Sequence, residues 1–318
     1  MRVSYAGSHG QNLGMEGDAN QLPYGTGTPN TAQRPFPTMN SIYQVRNLAS
    51  SNYHAVTVEG THRMSHGLQF QSSYTFARNL SEEGGSNPTS NASEIGGIPS
   101  DIYHPGVDYG NVIYTRRHRF LGSFLYELPF GHNKSYLSNV GYLLNSLVND
   151  WQLAGYYLQQ SGAFLTPITS SVDPTGTGMI SKGFATYSRP DAVAGVSPYT
   201  SGKGIRNFLT ATAFANPAAN IGRQGTASVG SIVGPGTNTF STSLMKSLVF
   251  TERVKFQMGA QVQNLFNHHN YDIPSSLDLA TSSIKNGIET GSFGQITSMQ
   301  SKDNAGPRAI SLTARLSF

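Results

Sequence analysis

The chain runs to 318 residues, of which 12% are charged and 37% hydrophobic, with a formal net charge of +4. Charge stands at about half the usual share for a soluble domain, and no apolar run approaches the ~18–20 residues of a membrane-spanning helix, which excludes a helical membrane protein. Cysteine is absent, which removes disulfides and thiolate metal sites, and the small cationic surplus is scattered, which argues against nucleic acid as a partner.

Sixteen Tyr, sixteen Phe and 35 Gly at a mean hydropathy of −0.31 suit a sheet protein whose polar face uses Ser, Thr, Gln and Asn. A transmembrane β-barrel has this profile, because its strands alternate lipid-facing and lumen-facing residues. A soluble β-sandwich shares it on composition alone.

In chain order, "MRVSYAGSHG" has one Arg and no apolar h-region, so it is not a signal peptide, and residues 2–9 are expected to form a short strand. Residues 53–63 and 68–78 alternate with period two, and Leu68, Phe70, Tyr74 and Phe76 share a face. The intervening "MSHG" predicts a tight turn. Residues 117–128 place Phe120, Phe124, Tyr126 and Leu128 on one side. Residues 128–150 predict a connection with a turn of helix around Val140 to Val148. Segments 151–162 and 240–250 alternate less regularly. Segment 252–266 is cleaner, with Val254, Phe256, Met258, Ala260 and Val262 opposite Lys255, Gln257, Gln261 and Gln263. The chain closes on Ile310, Leu312, Ala314, Leu316 and Phe318, alternating with Ser311, Thr313, Arg315 and Ser317.

These segments predict an all-β, antiparallel transmembrane barrel segment of about eight strands over residues 1–318. The connections between them alternate between long and short: about 40 residues, a tight turn, about 38, about 22, about 77, a near-immediate turn and about 40. Unstructured connections beyond ~12–15 residues are usually functional. Short turns on one side and long loops on the other are the habit of outer-membrane barrels, and with the C-terminus in the periplasm all four long loops lie outside the cell. Tyr74, Phe76, Tyr126, Trp151, Tyr156 and Tyr157 lie toward strand ends, as interfacial aromatic girdles do.

If Phe120, Phe124 and Leu128 face lipid, Arg117 and Arg119 face the lumen near the outer rim and His118 points outward. Lys255, Gln257, Gln261 and Arg315 extend the same expected lumen face. Inward Arg side chains suit bidentate capture of a carboxylate or phosphate. The plainer alternative is that they pair with acidic groups elsewhere in a barrel. No catalytic constellation is marked by local context, so no enzyme activity, cofactor or metal is expected. "NHHNYD" (267–272) is dense in ligand types, yet a polar rim loop accounts for it. The glycines at 176 and 178 and in "GPGTN" (234–238) follow no strand-to-helix context and are not expected to cradle phosphate.

Several segments together resemble the C-terminal barrel region of TonB-dependent outer-membrane receptors, of the Oar-like type with a carboxypeptidase-regulatory-like N-terminal domain. They are "YAGSHGQNL" (5–13), "RPFPTMNSI" (34–42), residues 51–80, "RRHRFLGSFLYELPFG" (116–131), "WQLAGYYLQQSGAFLTP" (151–167), "SRPDAV" (188–193), "ERVKFQMGAQVQNLFNHHNYDIP" (252–274), "FGQITSMQ" (293–300) and "ISLTARLSF" (310–318). His269 stands where that family usually has Pro. The resemblance implies about 22 strands around a plugged lumen, of which this chain would supply the last third without signal peptide, plug or TonB box. It implies outer-membrane lipid as surroundings, a bulky nutrient as ligand, and TonB as a partner through the plug alone. It also implies that the barrel-assembly machinery reads Leu312, Leu316 and Phe318 as an assembly signal. Two other expectations are carried: a self-sufficient small barrel acting as pore or adhesin, and a soluble glycan-binding β-sandwich.

Overall fold

Alternation of apolar and small polar residues drives the chain into strands, because only a period-two backbone sorts such a sequence onto two faces. The computed structural model describes residues 1–25, 27–82, 100–178, 188–200, 207–250, 254–286 and 288–318. Eight long strands form one antiparallel sheet: β1 (Arg2–Asp18), β2 (Tyr43–Ser65), β3 (Leu68–Ser81), β4 (His118–Glu127), β5 (Trp151–Gln160), β6 (Thr237–Val249), β7 (Lys255–Gln263) and β8 (Ala309–Ser317). Each pairs with its neighbour in sequence, and Gly110–Asn111 adds a short bridge to β3. Among the described residues the sheet is open: β1 pairs only with β2, and β8 only with β7.

All eight expected strands form. β1 and β2 run beyond their expected ends at residues 9 and 53, because their pairing continues through a register shift between Gly10 and Gly14, with Asn12 at φ 55°. That shift breaks the alternation that would have revealed the extension. β7 stops at Gln263 because Asn264 turns to φ 47°. The expected start of that strand falls on residues 251–253, outside the described residues. "MSHG" closes a two-residue hairpin with His66 at φ 51° and Gly67 at φ 81°, the type I′ pattern that matches strand twist. Residues Tyr142–Val148 form helix α1 in the connection between β4 and β5.

The register assigns every wall residue to a face. One face carries Val3 and Tyr5, Val56 and Val58, Phe70 and Tyr74, Phe120 and Phe124, Leu153 and Tyr157, Phe240 and Leu244, Phe256 and Met258, then Leu312 and Leu316. Away from the register shift in β1 and the residues paired beyond it, this face holds no carboxylate among paired residues, and its Lys and Arg there are Lys246 and Arg78. This apolar face is bare: Phe70, Tyr74, Phe76, Leu244, Met258, Ile310 and Leu312 are all exposed. Among the described residues no second sheet packs against it, where a sandwich would place one. The buried apolar core lies instead among the loops, where Leu165, Leu209, Phe214, Ile232, Leu277, Phe293 and Ile296 cluster.

Candidate functional site

The connections that follow Asp18, Ser81, Gln160 and Gln263 all leave the sheet on one edge, and the turn at His66–Gly67, α1 and Phe250 lie on the other. The long connections fold over the polar face. Ala55, Ala77, Ser81, Thr237, Thr239 and Ser241, all on that face near the long-loop edge, are buried. The covering contacts are specific: Thr237 Oγ1 donates to Gln300 Oε1 at 2.7 Å, Thr239 Oγ1 to the Asn304 carbonyl at 3.1 Å, and Asn304 Nδ2 to the Tyr156 hydroxyl at 2.5 Å. Tyr156 therefore belongs to the polar face under a loop and not to an aromatic girdle. Its neighbour Tyr157 is on the apolar face, 6.0 Å from the Phe120 ring.

Beneath that overhang lies a cavity of about 450 Å³ on the polar face, lined by Ser123, Tyr156, Ser243, Gln261 and Gln263 with Asn304 as its lip. Its polar groups are hydroxyls and amides without formal charge. Such a lining hydrogen-bonds neutral polar groups and offers no counter-ion.

The first three long loops meet at a buried polar knot. Asp108 Oδ1 accepts from Arg189 Nη1 at 2.6 Å, and both side chains are buried. Asp108 also accepts from the Ser100 amide at 2.5 Å and the Ser100 hydroxyl at 2.8 Å. Gln21 Nε2 donates to the Ser100 carbonyl at 2.9 Å, and the Tyr24 hydroxyl donates to Ser100 Oγ at 3.2 Å. Gln224 Oε1 accepts from the Arg189 amide at 2.9 Å. Burial pushes the Tyr24 phenol up to about 12, helped by the nearby Asp108 charge and opposed by its hydrogen bond to Ser100. At the rim, hydrogen bonds from Arg223 hold the Asp191 carboxyl below its ordinary value against partial desolvation. Desolvation lowers the Arg116 guanidinium, with Asp303 acting the other way.

The fourth loop joins the same body. Ser170 Oγ donates to Asp278 Oδ2 at 2.5 Å, Thr210 Oγ1 to Glu289 Oε2 at 2.8 Å, and Phe214 meets Phe293 edge-on at 5.7 Å. "NHHNYD" builds a turn: Asn264 Nδ2 donates to the carbonyls of His268 and Gly306, and Asn270 Nδ2 to Ala305. Among the described residues no group of three His, Asp or Glu side chains is placed to hold a metal. The Gly176 and Gly178 amides are already taken by the Asp173 carboxylate, at 3.0 and 2.6 Å.

Of the residues singled out from sequence, Arg119, Lys255, Gln257, Gln261 and Arg315 lie on the polar face, with Gln257 directly across from Arg315. Arg117 stands just ahead of β4, donating to Asn111 Oδ1 at 2.9 Å, with its guanidinium 5.0 Å from the Phe164 ring centre. His118 is on the apolar face, its Nδ1 2.8 Å from the Tyr74 hydroxyl. Leu312 and Leu316 lie on the apolar face of β8, and Phe318 follows its last residue. Sequence reasoning passed over Asp108 and assigned Arg189 no role, although "SRPDAV" had been singled out. A charged residue between Pro and small neighbours was the available signal.

A protein-family model described as an outer membrane beta barrel domain matches residues 1–310. No curated protein and no solved structure matches the chain.

Proposed function

The chain belongs to the outer membrane β-barrel domain family, and from that premise we propose that it is the C-terminal barrel part of a TonB-dependent receptor. It contributes lumen wall and a cap of extracellular loops that captures a bulky nutrient. The bare apolar face meets outer-membrane lipid, and the polar face meets the lumen. One observation carries this reading: the long loops lie folded on the polar face, with their own apolar core and an open cavity of about 450 Å³ beneath. The interior of an eight-stranded barrel has room for little more than side chains, so such a cap suits a wide barrel. The two free sheet edges agree with it. Arg119, Lys255, Gln257, Gln261 and Arg315 then line the lumen, the chain acts as a transporter wall without enzymatic chemistry or cofactor, and TonB engages through a plug.

The test is formaldehyde crosslinking in intact cells, with TonB captured and probed by an antibody to residues 264–308. An adduct supports the receptor. Voltage-clamped ion conductance of the purified protein with no TonB adduct would instead favour a pore. Under the same reading the barrel-assembly machinery recognises Leu312, Leu316 and Phe318. Deleting Phe318 should lower the heat-modifiable form in outer membranes several-fold at unchanged synthesis, and unchanged assembly would remove that role.

A further inference from the structure

The connection between β4 and β5 breaks the usual rule for a helix on a protein surface. In α1 the apolar Tyr142, Leu143, Leu144 and Leu147 are exposed, whereas Asn145 and Ser146 are turned toward the chain. Asn145 Oδ1 accepts from the His132 amide at 2.7 Å, and Ser146 Oγ donates to the Leu143 carbonyl at 2.7 Å. In water a seven-residue helix presenting Tyr and three Leu would be unfavourable. The same inside-out arrangement holds for the wall, whose apolar face meets lipid.

The helix is also fastened to that face. Lys246, a cation on the apolar side of β6, is fully buried, and its ammonium donates to both the backbone carbonyl and the side-chain oxygen of Asn149. It lies 5.9 Å from the centre of the Trp151 ring, whose Nε1 donates to the Leu147 carbonyl at 2.9 Å. Between helix and wall runs an apolar groove of about 380 Å³, lined by Phe130, Leu137, Leu147, Val148, Trp151 and Leu244. Leu244 and Trp151 belong to the lipid-facing surface, so the groove is continuous with it.

We propose that residues 128–150 are an interfacial membrane element, with α1 bedded in the leaflet on the short-turn side and the groove occupied by a phospholipid acyl chain. Continuity with the lipid-facing wall selects the occupant. A protein partner would have to displace lipid from the same margin. Lys246 is the positioning residue: it saturates the Asn149 oxygens that would otherwise face hydrocarbon.

Trp151 is the only tryptophan in the chain, so its emission reports this site alone. The full chain is reconstituted in phosphatidylcholine bilayers carrying bromine on the upper acyl chain, with iodide as the aqueous quencher. Trp151 should lose most of its emission to bromolipid and little to iodide. Leu143→Asp with Leu147→Asp should shift the emission red and exchange the two sensitivities. A second reporter, Leu312→Trp in a Trp151→Phe background, reads the wall itself. If that reporter is quenched by bromolipid while Trp151 answers only to iodide, the interfacial element is overturned and the wall stands. If neither is quenched by bromolipid, both fail. If Trp151 is quenched by bromolipid but the paired Asp substitutions leave it unchanged, the groove holds no chain and the proposal is overturned in that part.

Discussion

Asp108 and Arg189 lie in different loops, yet their side chains meet at 2.6 Å in a buried site tied to Ser100, Gln21 and Tyr24. A buried pair contributes little net stability, but removing one partner leaves an uncompensated charge at a cost of about 3–5 kcal/mol. Asp108→Asn should therefore loosen the loop cap without unfolding the wall. Hydrogen exchange should quicken across residues 100–113 and 188–192 while β5 to β7 keep their protection. Equal exchange in both proteins would show that the knot does not hold the cap. Tyr24 gives the same knot a pH response. Its folded value near 12 lies above the ordinary value of 10, so its contribution is fully present below pH 10 and is lost as pH rises toward 12. Loop protection should fall over that alkaline window, and Tyr24→Phe should flatten the dependence.

At the scale of elements, the hairpin between β2 and β3 depends on a left-handed pair, His66 and Gly67. A Cβ at Gly67 would sit 2.8 Å from the Glu127 carbonyl oxygen, and a β-branched residue is strained at that φ. Gly67→Val should cost about 1–3 kcal/mol, seen as a lower urea midpoint in detergent; an unmoved midpoint would mean that the turn relaxes freely. The sequence made this hairpin legible because alternation on both sides flanks a turn dipeptide. The same alternation marked β4, β7 and β8 and assigned Arg119, Gln257 and Arg315 to one face. It failed at Tyr156 and Tyr157, where adjacent aromatics give no parity signal and only the pairing with Ser241 and Phe240 separates them. The loop cap was illegible for another reason. Leu165, Leu209, Leu277 and Phe293 come from two loops with no period, and only folding brings them together.

For the whole molecule the decisive question is what lies against the free edges of β1 and β8. An unpaired strand edge in a bilayer leaves amides and carbonyls without partners at several kcal/mol each, so both edges must pair in the membrane. They pair either with each other, closing eight strands, or with further strands of a wider barrel. The folded cap on the polar face argues for the second, since closure at eight would drive the wall into the Gln300 and Asn304 overhang that covers Thr237 and Tyr156. The chain has no cysteine, so introduced thiols report on this cleanly. Ser4→Cys or Ala6→Cys on β1, combined with Ser311→Cys or Thr313→Cys on β8, would come within disulfide range, with Cα atoms about 5.5 Å apart, only if those edges meet. Oxidation in native outer membranes should yield no bond within the chain for any of the four combinations. A disulfide in one combination would close the barrel at eight strands, and the cap would then have to leave the lumen whenever the wall is assembled.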